Sequence, residues 1–271
     1  MCYTGKLWCL PMRAGRVLLL SVGDGMSPWL REPWGRIMCA RFMLKCKLLQ
    51  LAEEFDLVGL RAGDIIARYN IAPTQQVSIV RLWAKGQKRS LDSLRWGLIP
   101  KWAKDASIGN RMINARAETA AEKPSFRSAF RRQRCLVPAT GFYEWRKEPS
   151  EGGLKSWKQP FLIQRQDERI FALAGLWESW EGAENAPVES FAILTTDANE
   201  FMKPYHDRMP VLIGRDDYDA WLDPDIQDAA RLEPLLRPFW SGELTACPVS
   251  RYVNSPRNEG PACIEPAERA P

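Results

Sequence analysis

Four apolar runs, CLVP (135–138), PFLIQR (160–165), RIFALAGLWES (169–179) and SFAILTT (190–196), succeed one another without regular helical crossovers between them. Their β-branched and aromatic content, bounded by turn residues, predicts strands, and QVSIVRLW (76–83) predicts another. Parallel neighbours need a long crossover connection, so strands in this order pair mainly antiparallel. The fold class is therefore α+β: a single β-rich domain with a mostly antiparallel sheet or barrel core and flanking helices. Leu44, Leu48, Leu51, Ala52 and Phe55 have helical spacing, which predicts a helix within 44–57. Short helices are expected at 215–222 and 231–237. EPSEGGLKS (148–156) reads as a loop between strands.

The net charge of +5 is unevenly distributed. Residues 1–37 carry Lys6, Arg13, Arg16, Arg31 and Arg36 against Asp24 and Glu32, leaving the rest of the chain about +2. Such a balance permits a nucleic-acid partner without demanding one, so an anion site must be a local patch. Seven cysteines, odd in number and with no CxxC, predict neither a disulfide framework nor a zinc site. They fit a reducing cytosol or nucleoid. His206 is the only histidine, which excludes His-rich metal centres. No cofactor or metal is expected. No stretch is long and apolar enough to span a bilayer, and no membrane partner is expected.

Residues 1–37 differ from the rest of the chain, with Trp8, Trp29 and Trp34 scattered among Gly, Pro and Arg without strand or helix period. They read as a leader, either a propeptide or sequence upstream of the working start, preceding one domain over 38–266 and a frayed tail at 267–271. A second Met-Cys pair, Met38-Cys39, stands at that boundary.

Several turn-rich segments carry polar side chains that a core would not choose. YNIAPTQ (69–75) has Asn70 before an Ala-Pro turn; RWGLIPKWAKD (95–105) sets Trp96 and Trp102 among cations. INARAET (113–119) places Asn114, Arg116 and Glu118 at strand period on one face. GFYEW (141–145) sets Glu144 between aromatics, and HDRMP (206–210) clusters His206, Asp207 and Arg208. The tryptophans serve a core or stack bases; Glu144 pairs an arginine or moves a proton; His206 is structural or catalytic. FRSAFRRQRC (126–135), read as a helix, puts Arg127, Arg131 and Arg134 on one side to bind phosphates; the other reading is a solvated face on which Arg132 and Arg134 pair with Glu118 or Glu122.

In order, Met38-Cys39-Ala40-Arg41-Phe42, Tyr69-Asn70-Ile71-Ala72-Pro73, Trp96-Gly97, Asn114-Ala115-Arg116, Phe142-Tyr143-Glu144-Trp145, His206-Asp207-Arg208 and VSRYVNSPRN (249–258) resemble the SRAP family, the SOS-response-associated peptidases or abasic-site processing proteins. The resemblance implies a mature terminus at Cys39 and active-site residues Asn114, Glu144 and His206. It implies that Arg41, Asn70, Arg116 and Arg208 line the path of single-stranded DNA or the abasic-site phosphates, with Pro73, Trp96 and Trp102 receiving splayed bases. Ala40 departs from the family's glycine.

The implied chemistry is a covalent crosslink to the abasic-site aldehyde. An α-amine has a pKa of about 7.7–8.0, so an appreciable fraction is neutral near pH 7 and able to form a Schiff base. The adjacent thiol, at about 8.5, then adds to the imine and closes a five-membered thiazolidine. The resemblance thus implies a hydrolase- or lyase-class enzyme that works as a monomer on single-stranded DNA containing abasic sites. Two other readings stay open: an autoproteolytic cysteine peptidase cutting before Cys39, and a non-enzymatic DNA-binding module.

Overall fold

The apolar runs all become strands, and the longest of them close on one another. The structure, a computed structural model, describes residues 40–58, 60, 66–84, 86–149, 156–182 and 187–267, all within the unit Met38–Pro271. The expected leader, Cys39, the middle of the 148–156 loop and the tail from 268 lie outside the described residues. Of the expected tail only Ala267 is described, and its N–H donates to Pro248 O at 3.0 Å.

In chain order the elements are β1 (Phe42–Leu44), α1 (Leu48–Phe55), β2 (Arg68–Ile71), β3 (Gln76–Arg81), β4 (Ser90–Trp96), β5 (Asn114–Arg116), α2 (Ala117–Ala120), α3 (Arg127–Arg132), β6 (Arg134–Ala139), β7 (Gly141–Glu148), β8 (Trp157–Arg165), β9 (Phe171–Glu181), β10 (Pro187–Asp197), β11 (Arg208–Pro210), α4 (Tyr218–Leu222), α5 (Ala229–Leu232) and β12 (Leu244–Pro248). The 44–57 helix is shorter than expected because Leu44 is held in β1, opposite Arg68. The basic stretch at 126–135 also divides: α3 stops at Arg132 and Arg134 opens β6. No helix among the described residues is long and apolar enough to cross a membrane.

One sheet runs β11-β10-β4-β3-β6-β9, and β9 returns to pair with β10, closing a barrel. A five-stranded sheet, β12-β8-β7-β1-β2, packs beside it. Burial on both faces explains why β9 and β10 read as continuous apolar runs: Phe171 to Trp177 and Phe191 to Thr196 are all buried. The two sheets meet through aromatic contacts, Phe42 against Trp96 at 5.1 Å and Phe142 against Phe171 at 6.0 Å between ring centroids.

β10 is the strand on which the neighbouring elements converge. Along one edge it pairs parallel first with β4 at Ser190 and Phe191, then with β5 from Ile193 to Thr195. Along the other it pairs antiparallel with β9, then with β11 from Thr195 to Asp197. Gly97 makes the handover from β4 to β5 possible. Its φ is 125°, and a Cβ there would meet Gly109 O at 2.5 Å, so only glycine fits. Its N–H donates to Phe191 O at 2.8 Å, and Leu98 N–H then reaches Met112 O at 3.0 Å, leaving the next stretch of the β10 edge for β5.

Candidate functional site

Asn114 and His206 reach opposite edges of the same strand end. Asn114 opens β5 opposite Ile193, and Ile193 N–H donates to the preceding carbonyl, Ile113 O, at 3.0 Å. His206 ends the turn between β10 and β11, two residues before Arg208 pairs with Asp197. That turn is fixed by its own backbone: His206 N–H donates to Met202 O at 3.0 Å and Ala198 N–H to Asp207 O at 3.1 Å. Asn199 anchors it further, its Nδ2 donating to Phe239 O at 2.7 Å.

Glu144 sits on β7, only 4 % exposed, opposite Phe161 of β8. The Tyr205 ring lies 4.9 Å from Phe161, which seats the His206 turn on the strand pair that carries Glu144. Arg146, two residues along β7 and hence on the same face as Glu144, lies over Phe161 at 4.5 Å and Tyr205 at 5.6 Å. Sequence reasoning missed this Arg146–Phe161–Tyr205 cluster; Tyr205 beside His206 was its one visible signal. The start of the unit also arrives here. Tyr143 N–H donates to Arg41 O at 2.9 Å, so Ala40 and Arg41 run beside Glu144.

His206 Nδ1 has two neighbours of opposite kind: it lies 3.0 Å from the Arg208 amide nitrogen and 2.8 Å from Asp207 Oδ1. An unprotonated Nδ1 accepts from the amide; a protonated one donates to the carboxylate. These contacts are alternatives, so each protonation state of Nδ1 has a partner.

Four expected DNA contacts have partners within the protein. Asn70 is 0 % exposed; its Nδ2 lies within 3.2 Å of Val253 O and 2.9 Å of Ser255 O and Asn258 O. Arg41 donates through Nη1 to Asn70 Oδ1 at 2.7 Å and to Val253 O at 2.9 Å, with Trp145 5.7 Å from the guanidinium. Burial pushes its pKa down. Asn70 and Arg41 thus pin VNSPRN against β1 and β2. Trp96 is 0 % exposed and donates to Ile113 O at 2.9 Å, so it is a seam residue between sheets and presents no face to a base. Arg208 is forked onto Glu118 at 2.7 Å through both Nη atoms, with Asp197 Oδ1 also at 2.7 Å. Burial pulls its pKa down, but these bonds outweigh that and raise it. The strand period read into INARAET ends at Arg116, and Glu118 belongs to α2.

The remaining candidates face outward. Trp102 is 57 % exposed, and its indole N–H reaches Pro124 O at 3.4 Å. Lys101, Lys104, Arg111 and Arg116 are exposed around it in sequence. Pro73 is half-buried beside Thr74, a β-branched residue at φ 73°. Arg134, by contrast, is buried and belongs to no anion surface.

The family description "SOS response associated peptidase (SRAP)" matches residues 38–256. The chain is 42 % identical to "Abasic site processing protein YoqW" of Bacillus subtilis (strain 168), over 84 % of this chain and 99 % of that protein. It is 30 % identical to "Abasic site processing protein HMCES" of Gallus gallus, over 77 % of this chain and 69 % of that one. A crystal structure of a Bacteroides thetaiotaomicron protein superposes with a TM-score of 0.71 at 28 % identity, covering 85 % of this chain and all of that one.

Proposed function

Since the chain belongs to the SRAP family, we propose that it is an abasic-site processing protein that captures the lesion through Cys39. The observation that carries this reading is convergence. The strand bearing Asn114, the turn bearing His206 and the strand bearing Glu144 come together, and the segment entering at Ala40 runs beside Glu144.

Once residues up to Met38 are absent, Cys39 offers an amine and a thiol on one residue. The amine nitrogen attacks the sugar aldehyde carbon, and water leaves to give an imine. The thiolate sulfur then adds to the imine carbon while the nitrogen takes a proton, closing the thiazolidine. Ring closure is intramolecular and gains from proximity. Glu144 and His206 move the protons of sugar opening and water loss, and Asn114 orients the amine. Exposed Trp102, Lys101, Lys104, Arg111 and Arg116 combine cations with a ring face, which suits a single strand whose bases need not be unpaired. The protein acts as a monomer on DNA in the cytosol or nucleoid, with no cofactor.

The test uses the chain begun at Met38, where the match to the family description starts. On single-stranded DNA with one abasic site it should form adducts that survive heating, and Cys39→Ser should form none while still binding the strand. Undiminished adducts from Cys39→Ser would refute the thiazolidine. Intact mass of the chain expressed from Met1, with and without Cys39→Ala, reports whether Cys39 also removes the leader: equal removal from both rules that out.

A further inference from the structure

We propose that Arg146 and Tyr205 form a latch that positions His206 against Glu144, an inference that rests on the abasic-site reading. Glu144 lies in the five-stranded sheet, whereas His206 lies on a turn of the barrel between β10 and β11. The two residues belong to separate hydrogen-bonded ladders, so side-chain contact between the layers sets their spacing. Tyr205 supplies such a contact one residue before His206. Its N–H and that of His206 both donate to Met202 O, at 2.8 and 3.0 Å, so phenol ring and imidazole are carried by one fixed stretch of backbone. A displaced Tyr205 ring takes His206 with it.

The ring is gripped from β7 and β8. Phe161, opposite Glu144, stands 4.9 Å from it. The Arg146 guanidinium lies over both rings, 4.5 Å from Phe161 and 5.6 Å from Tyr205. β7 and β8 pair in unbroken register from Phe142 and Ile163 to Glu148 and Trp157, so Glu144, Arg146 and Glu148 share one face. Arg146 Nε donates to Glu148 Oε1 at 2.6 Å, which fixes the guanidinium over the rings. Its flat surface stacks on aromatic faces as a compact ammonium does not. The same bond sets a carboxylate beside the cation, so an incoming phosphate finds a partner already in place.

The experiment has two arms. Because His206 is the only histidine, the Cε1–H signal of its ring in the full chain reports on the latch whatever the reaction proves to be. The parent should give one sharp signal. Arg146→Ala and Tyr205→Leu should shift and broaden it, and Tyr205→Phe, which keeps the ring, should restore it. The second arm measures single-turnover crosslinking of abasic single strands by the chain from Met38. Arg146→Ala and Tyr205→Leu should lower the rate at saturating DNA by about tenfold with half-saturation unchanged, because the misplaced group is still present but out of line. Tyr205→Phe should recover the rate lost in Tyr205→Leu. Arg146→Lys, a mild change at a side chain 32 % exposed, keeps the charge without the stacking plane and should lose rate while binding as the parent does. If instead Arg146→Ala weakens binding to undamaged single strands and lowers its salt slope by about one while Arg146→Lys reacts at the parent's rate, Arg146 is a phosphate ligand and the latch is wrong. An unchanged His206 signal in both Arg146→Ala and Tyr205→Leu overturns it equally. A parent that forms no crosslink refutes the abasic-site reading and leaves the ring signal to decide the latch.

Discussion

Asn70 Oδ1 accepts from Arg41 Nη1 at 2.7 Å while its Nδ2 meets three carbonyls of the 253–258 segment. Two hydrogens serve three acceptors, so at least one is shared. Asn70→Ala removes these bonds at a buried site and costs the half-buried Arg41 its side-chain acceptor, leaving it carbonyls such as Val253 O. Stability should fall by about 3 kcal/mol, read from urea unfolding. Asn70→Asp should also be destabilising: it offers Arg41 a charge but turns oxygens toward carbonyl oxygens. A loss below about 0.5 kcal/mol in both variants would mean the segment is held by something else.

The two tryptophans of RWGLIPKW should separate cleanly. Trp102→Ala should leave thermal stability unchanged and weaken binding to undamaged single strands by about 1–3 kcal/mol, the worth of one base–aromatic stack. Trp96→Ala empties the seam against Phe42 and Phe191, and should cost about 3–5 kcal/mol of stability. Fluorescence anisotropy and thermal melts on both variants check this. Binding that is insensitive to Trp102 would remove it from the DNA path.

How far the sequence could be read depends on where each residue's partners lie along the chain. β9 and β10 were legible because burial on both faces makes them apolar throughout. β1 and β11 were not: each has three residues, and their strand character comes from pairing with other strands, Phe42 with distant Phe142 and Arg208 with Asp197 across a turn. The site shows the same division. Asn114, Glu144 and His206 stood out as polar residues in turn-rich or aromatic settings, and the fold gathers their elements. What no local pattern revealed was that Asn70 faces carbonyls at 253–258, that Arg208 is held by Glu118, or that Trp96 fills an intersheet seam.

Thiol reactivity should track burial. Desolvation pushes Cys46 and Cys263 up to about 11 each and Cys135 higher still. In the unfolded chain these thiols ionise near about 8.5, so between that value and about 11 the folded state binds more protons than the unfolded one. Their stabilisation is therefore complete below about pH 8.5 and is lost as pH rises toward their folded values. Urea midpoints should decline across this alkaline window, less steeply in Cys263→Ala. At pH 7 an alkylating reagent should leave Cys46, Cys135 and Cys263 unlabelled in the folded protein, because the thiolate is the reactive form. Rapid labelling of Cys263 would contradict its burial.

Arg134 carries the last prediction. Its side chain is buried among carbonyls: Nε donates to Trp221 O at 2.5 Å, Nη1 to Phe130 O and Arg131 O at 2.7 Å each, and Nη2 to Asp223 O. Those four carbonyls lie in or beside the last turns of α3 and α4, where helix carbonyls lack intrahelical donors and carry partial negative charge. Burial pulls the guanidinium down to about 10, yet the fork fits four acceptors that no other side chain spans. Arg134→Met keeps the volume and abandons the carbonyls, so stability should drop by about 3 kcal/mol or more. Arg134→Lys retains the charge with a single nitrogen and should lose about half as much. Neither variant should alter single-strand affinity in the folded protein, whereas exposed Arg116→Ala should weaken it and lower the salt slope by about one. Weakened binding by fully folded Arg134→Lys would place this arginine back among the phosphate contacts.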